Sequence, residues 1–185
     1  MSTSEKPTVL IVGAGLGGLM LGILLERSGV PYNFFERGTA VKPSGAGMSV
    51  GPTLLSIFKQ LGIYDEFLNI GKYLTHTLDL KESLDPYRPI DHSPIEEFGG
   101  YGQYFVAHPM LYDLLLRQVP AHGIHFGHRV LNFSESRKDN KVTVHLFDNN
   151  NYEGDILVGP DGAYSAVRQR MYEQLKAKNE LPKSD

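Results

Sequence analysis

The sequence predicts an α/β fold organised on a parallel β-sheet. Three observations predict it. Thr8–Val12 is a short β-branched apolar run without polar alternation, the pattern of a central strand covered on both faces. It ends at Gly13, and apolar residues then recur at helical spacing (Leu16, Leu19, Met20, Ile23, Leu24) until Ser28-Gly29 stops them. Val30–Glu36 reads as a second strand. Strand, glycine bend, helix and strand within about 30 residues make a βαβ unit, whose strands run parallel with a right-handed crossover.

The rest of the chain adds smaller elements. Lys42–Gly51 is rich in Gly, Pro and Ser and reads as a loop. Pro52 opens a helix with an apolar stripe of Leu54, Ile57, Phe58 and Leu61, closed by Gly62. Leu74–Leu80 alternates as a strand does, whereas Ser83–Gly102, with Pro86, Pro89, Pro94, Gly99, Gly100 and Gly102, reads as irregular. Tyr104–Ala107 reads as a strand, and Pro109 starts a helix with Leu111, Leu114, Leu115 and Gln118 on one stripe. Ile124–Phe126, Val130–Phe133, Val142–Phe147 and Asp155–Val158 follow as short strands, with Asp148–Asn151 as the turn before the last. A helix begins near Ser165, and the charged stretch Lys176–Asp185 is expected to fray.

Composition bounds the function. The chain has 185 residues, a formal net charge of −3 and no cysteine. That length suits one domain, or one and a fraction. The near-neutral charge argues against a nucleic-acid partner held by phosphate contacts. Without cysteine there is no disulfide scaffold, no thiolate-held metal and no cysteine nucleophile; a reducing, cytoplasmic compartment fits. Val9–Leu25 carries no charge, but Gly13, Gly15, Gly17, Gly18 and Gly22 lie within it. Each glycine weakens a helix by up to about 1 kcal/mol relative to alanine, so a buried strand and helix explain the run better than a membrane span. The oligomeric state is left open.

Two motifs carry chemistry. Gly13-Ala-Gly15-Leu-Gly-Gly18 fits G-x-G-x-x-G, follows a strand and opens a helix. The first glycine permits the tight turn, the second lets backbone approach a pyrophosphate, and the third lets helix pack on strand. The helix N-terminus offers unpaired N–H groups and about half a positive charge to a phosphate. Glu36, at the end of the second strand and eighteen residues after Gly18, can accept hydrogen bonds from an adenosine ribose. This motif alone does not separate NAD from FAD. The second motif is Val158-Gly-Pro-Asp161-Gly162-Ala-Tyr-Ser165-Ala-Val-Arg168, a strand running into a sharp Asp-Gly turn and a helix. Ser165 suits the N-cap, and Asp161 stands at the carboxyl end of the sheet, where ligands bind in such folds.

Together with Glu36-Arg37 and Gly45-Ala-Gly47, these motifs resemble the class A flavoprotein monooxygenases, FAD-dependent aromatic hydroxylases of the p-hydroxybenzoate and phenol hydroxylase type. The match runs from Val9 to about Met171, and the Asp-Gly segment is its more specific part. The resemblance implies a Rossmann-like βαβ FAD-binding fold with a hairpin or meander insertion and part of a substrate-domain sheet. It implies one FAD-binding domain over residues 1–185, with 72–106 contributing to the substrate-binding sheet. It implies FAD as cofactor, NAD(P)H as reductant, and an aromatic or polyketide-like small molecule hydroxylated with O2. By resemblance, Gly13, Gly15 and Gly18 hold the pyrophosphate, Glu36 binds the ribose and Arg37 sits nearby. Gly45, Gly47 and Met48 approach the flavin, Asp161 and Gly162 reach the ribityl–pyrophosphate region, and Arg168 braces the turn.

There are departures. His108 stands where the family often places an FAD-contacting arginine, and Pro160 replaces the usual alanine before Asp161-Gly162. The family's later Gly-Asp segment is absent, so the domain is expected to be incomplete. The alternative function is then a nucleotide-binding module that lacks the half needed for turnover. No catalytic residue is named. His122, His125 and His128, spaced by three, are expected on alternating strand faces, which excludes their convergence on a metal. Ser165 lies near Asp161 but in no G-x-S-x-G context, which argues against a hydrolase.

Overall fold

A computed structural model describes residues 6–40, 45–120, 123–136 and 138–181. The chain divides into two compact units: residues 1–42 with 115–185, and residues 43–114. The segment 72–106 lies within the second.

The first unit is built on four parallel strands, β1 (Val9–Val12), β2 (Tyr32–Glu36), β8 (Ile124–Phe126) and β12 (Ile156–Val158), in the order β12-β1-β2-β8. The alternation of β1 and β2 side chains serves two layers. Leu10, Val12 and Phe35 join Phe133, Val142, Val144 and Leu146 in one buried cluster. Those partners come from an antiparallel sheet of β9 (Val130–Ser136), β10 (Lys141–Leu146) and β11 (Asn151–Gly154), in the order β11-β10-β9. On the other face, helix α1 (Leu16–Ser28) lies on Phe34, which is fully buried. Its closest points are glycines: a Cβ at Gly18 or Gly22 would stand 3.0 or 3.3 Å from the Phe34 ring. The buried face of α1 is therefore Gly18, Leu19, Gly22 and Ile23, and the expected stripe member Leu24 is exposed. Periodicity of large apolar residues misses a face on which the small residues set the contact.

β11 is also unexpected. Its sequence, Asn151-Tyr-Glu-Gly154, begins in the expected turn Asp148–Asn151 and carries only Tyr152 as a large ring; cross-strand pairing with β10, Val144 opposite Tyr152, makes it a strand. Helix α6 (Ala166–Ala177) closes the unit, and residues 182–185 of the expected fraying end lie outside the described residues.

The second unit holds a three-stranded sheet, β3 (Gly47–Val50), β7 (Tyr104–Ala107) and β4 (Lys72–Tyr73), in the order β3-β7-β4. Residues 42–44 of the expected loop lie outside the description, but 47–50 are strand, paired antiparallel with β7. Helices α2 (Pro52–Leu61) and α3 (Tyr64–Ile70) pack Phe58 against Phe67, with ring centroids 5.2 Å apart. The buried stripe of α2 is Leu55, Phe58 and Leu61; Leu54 and Ile57 are only partly covered. Helix α5 (His108–Leu116) spans the division between the units. The proline-rich stretch expected to be irregular holds β6 (Pro86–Asp91) and helix α4 (Ser93–Gly99). Among the described residues β6 pairs only with β5 (His76–Leu80), and a two-stranded ribbon has an open edge on each strand where proline's missing N–H costs nothing.

Among the described residues no helix is long and apolar enough to cross a membrane.

Candidate functional site

The bend after β1 shows three glycines in three different situations. Gly13 has φ +109°, a conformation that side-chain-bearing residues rarely adopt, and a Cβ there would lie 2.7 Å from the Asp161 Cα. At Gly18 a Cβ would collide with the Gly13 carbonyl oxygen. Both positions are consumed by the protein's own packing. Gly15 is not: its backbone (φ −73°, ψ −179°) suits any residue, and a Cβ would meet only the Pro160 carbonyl oxygen at 4.0 Å. Nothing among the described residues demands glycine there, so the free space over Gly15 suits the close approach of a ligand.

Gly15 also caps α1 without a side-chain hydrogen bond, and the first helical N–H to bond back is that of Leu19, to Gly15 O at 2.9 Å. The N–H groups before it have no intrahelical partner and stand at the positive end of the helix dipole, a ready site for a phosphate. Pro160, the departure before the Asp-Gly pair, backs this bend: its Cβ lies 3.9 Å from a Cβ placed on Gly17.

Glu36 ends β2 beside the bend. Its Oε2 accepts from the Ala14 N–H (2.8 Å) and its Oε1 from the Gly38 N–H (2.7 Å). Arg37 is exposed. Neither Ala14 nor Gly38 was singled out in the sequence; the one available signal was a glycine two residues beyond the acid.

The Asp-Gly turn follows β12. Gly162 holds φ +89°, which accounts for the glycine. Asp161 Oδ2 accepts from the Ala166 N–H (2.6 Å) and the Val167 N–H (3.3 Å), and Ser165 Oγ accepts from the Arg168 N–H (2.9 Å), so the start of α6 is capped twice. Ser165 is thus a buried cap, not a nucleophile. Arg168 donates through Nη2 to the Ala163 carbonyl (2.6 Å) and so braces the turn. Asp161 Oδ1 is the exception: it is buried and, among the described residues, has no hydrogen-bond partner. A buried carboxylate oxygen without a donor costs about 1–3 kcal/mol or more, and a ligand hydroxyl beside Gly13 would remove that cost. The two motifs, about 150 residues apart in sequence, meet at Gly13 and Asp161.

The other predicted residues lie in the second unit. Gly45 is exposed, and Gly47 and Met48 are on β3, where the Phe105 ring covers Gly47. His108 begins α5; its N–H donates to the Ala46 carbonyl (2.9 Å) and its ring stacks on Tyr112 at 6.4 Å.

The histidines correct one expectation. His122 lies outside the described residues, but His125 and His128 do not diverge: their ring centroids are 5.5 Å apart. β8 ends at Phe126 and Gly127 turns the chain, so strand alternation no longer applies. His125 stacks on Phe35 at 5.5 Å, while His128 Nε2 stands 3.9 Å from Asp148 Oδ2. Burial, then the neighbouring His128, hold the His125 pKa below its ordinary value. Among the described residues no group of three His, Asp or Glu could hold a metal.

Comparison with known proteins agrees with this geometry. The profile of the FAD binding domain matches residues 6–184. The chain is 32% identical over 168 residues to the FAD-dependent monooxygenase pynG of Aspergillus niger, covering 88% of this chain and 38% of that protein. It is 30% identical over 176 residues to 6-hydroxynicotinate 3-monooxygenase of Pseudomonas fluorescens, covering 91% and 44%. Among solved structures, Klebsiella pneumoniae HpxO complexed with FAD and uric acid superimposes with a TM-score of 0.75 at 26% identity, covering 87% of this chain and 40% of that one. The chain thus spans less than half the length of these relatives. The match to the FAD binding domain covers nearly the whole chain, and the chain belongs to that family, as carried by FAD-dependent monooxygenases.

Proposed function

We propose that this chain is the FAD-binding portion of a cytoplasmic flavoprotein monooxygenase that uses NAD(P)H and O2 to hydroxylate an aromatic or polyketide-like small molecule. The observation that carries the reading is the buried, unpartnered Asp161 Oδ1 set against the Gly13 bend. Gly13, Gly15 and Gly18 with the N-terminus of α1 would hold the pyrophosphate. Glu36 would take the adenosine ribose, with Arg37 beside it. Asp161 would accept from a ribityl hydroxyl at Oδ1, on a turn shaped by Gly162 and braced by Arg168. By family resemblance, Gly45, Gly47, Met48 and His108 would serve the flavin end of the cofactor. Bound FAD supplies the electron transfer from NAD(P)H and the activation of O2. The protein's part is to bind, orient and neutralise. The stretch 72–106 would contribute to a substrate-binding sheet.

Gly15→Ala tests this directly. The backbone at Gly15 already suits alanine and its surroundings are open, so the protein without cofactor should lose no more than about 1 kcal/mol as an N-cap change. FAD affinity, measured by calorimetric titration of the FAD-free protein, should fall about tenfold or more, because the methyl group stands where the pyrophosphate must approach. Equal FAD affinity in the two proteins would overturn the reading. A second reading is a nucleotide-binding module without turnover. Tight FAD binding without any NAD(P)H oxidation would select it.

A further inference from the structure

We propose that Glu36 is a clamp as well as a ribose ligand: without any cofactor its carboxylate fixes the glycine bend after β1 to the turn after β2, and so shapes the phosphate cradle in advance. The inference deepens the FAD reading and rests on it only for what the cradle receives.

The geometry gives each carboxylate oxygen its own duty. Oε2 holds the Ala14 N–H and Oε1 the Gly38 N–H, at 2.8 and 2.7 Å. Ala14 is only 3% exposed, so its N–H cannot simply turn to water if the carboxylate is lost. The backbone extends the tie to a third strand end: the Gly127 N–H donates to the Gly38 carbonyl and the His128 N–H to the Glu36 carbonyl, each at 2.9 Å. Three neighbouring parallel strands, β1, β2 and β8, are thereby joined at their carboxyl ends around one side chain.

Donor counting separates a clamp from a ribose ligand. A carboxylate offers about four lone-pair sites; two are committed to backbone N–H groups and two remain for ribose hydroxyls. A glutamine offers one oxygen, and its NH2 would face a second N–H. Hydroxyls both donate and accept, so a residue that only binds ribose tolerates glutamine. A residue that holds two backbone donors does not.

The test is amide hydrogen exchange of the full chain without FAD, comparing wild type with Glu36→Gln. The clamp predicts that the Ala14 amide, the Gly38 amide, or both lose about ten- to a hundredfold in protection, while Leu10 and Ile11 in β1 are unchanged. Unchanged exchange at both Ala14 and Gly38 would overturn it. Should the variant unfold as a whole, the wild type decides. Protection at Ala14 and Gly38 well above that of Gly17, in the unbonded first turn of α1, supports the clamp; equal exchange at all three overturns it. Loss of protection in E36Q in a protein that takes up no FAD would keep the clamp and sink the FAD reading, so the two fail separately.

Discussion

The parallel sheet of the first unit and the β5–β6 ribbon of the second are both made of short strands, yet their side chains live in opposite environments. Val9–Val12 is buried along its whole length. Every residue of β5 is exposed, and in β6 only Ile90 is partly covered. The ribbon nonetheless carries large apolar groups: Leu78, Leu80, Leu84 and Tyr87 are 52, 49, 75 and 69% exposed. Burial on two faces is what ties the sheet to the stability of its unit. The ribbon is held by its ladder, its turn and exposed side-chain contacts such as Thr77 Oγ1 with His92 Nε2 (2.7 Å), and a lone two-stranded ribbon is marginal in water. The difference teaches that strand identity and contribution to stability are separate properties of this chain.

Core truncation should give the largest contrast. Phe34 is fully buried and is the surface on which Gly18 and Gly22 seat α1. Phe34→Ala should cost about 3–5 kcal/mol, whereas Leu78→Ala should cost less than about 1 kcal/mol. Denaturant titration of both variants would measure this; comparable losses would erase the distinction between sheet and ribbon.

The same contrast governs what the sequence disclosed. β1 was legible because burial on two faces leaves an unbroken apolar run, and α1 and β2 followed because the glycine bend is constrained by φ at Gly13 and by contact at Gly18. β6 was not legible. Its prolines signal irregularity in a central strand, but with one partner the ring faces open solvent. β3 was hidden in the same way, since Gly47 takes its cover from Phe105, a residue on another strand. Of the site, Gly13, Glu36 and Asp161 stood out by type and spacing. Their partners Ala14, Gly38 and Ala166 could not, because each contributes only a backbone N–H. The meeting of Gly13 with Asp161 required the pairing of β1 with β12, a contact between distant parts of the chain.

An intermediate effect comes from pH. Phe35, Tyr152 and His128 surround His125 and hold its pKa below the ordinary 6.5. The folded state therefore binds fewer protons there than the unfolded state. That contribution is complete above pH 6.5 and is lost as the pH falls from there through the folded value. His125→Phe keeps the stacking and removes the charge, so its melting temperature should hold steadier than that of wild type between about pH 7 and 5. A parallel decline in the two proteins would place the acid sensitivity elsewhere. Amides of the ribbon should show no difference between them at any pH.

The smallest effect should fall in the ribbon alone. Leu84 sits in the turn between β5 and β6 with φ +66°, where its N–H donates to Lys81 O at 2.9 Å and its side chain is largely in solvent. A left-handed backbone costs a residue such as leucine about 1–2 kcal/mol, and asparagine tolerates it better. Leu84→Asn should relieve about 1 kcal/mol and give up little burial. Because the ribbon opens apart from the sheet, that gain should appear as roughly fivefold slower exchange at ladder amides of β5 and β6, with no change in the denaturant midpoint that Phe34→Ala shifts. If the midpoint rose along with ribbon protection, the ribbon would have to unfold with the sheet, and the two regions would be one cooperative structure despite their opposite burial.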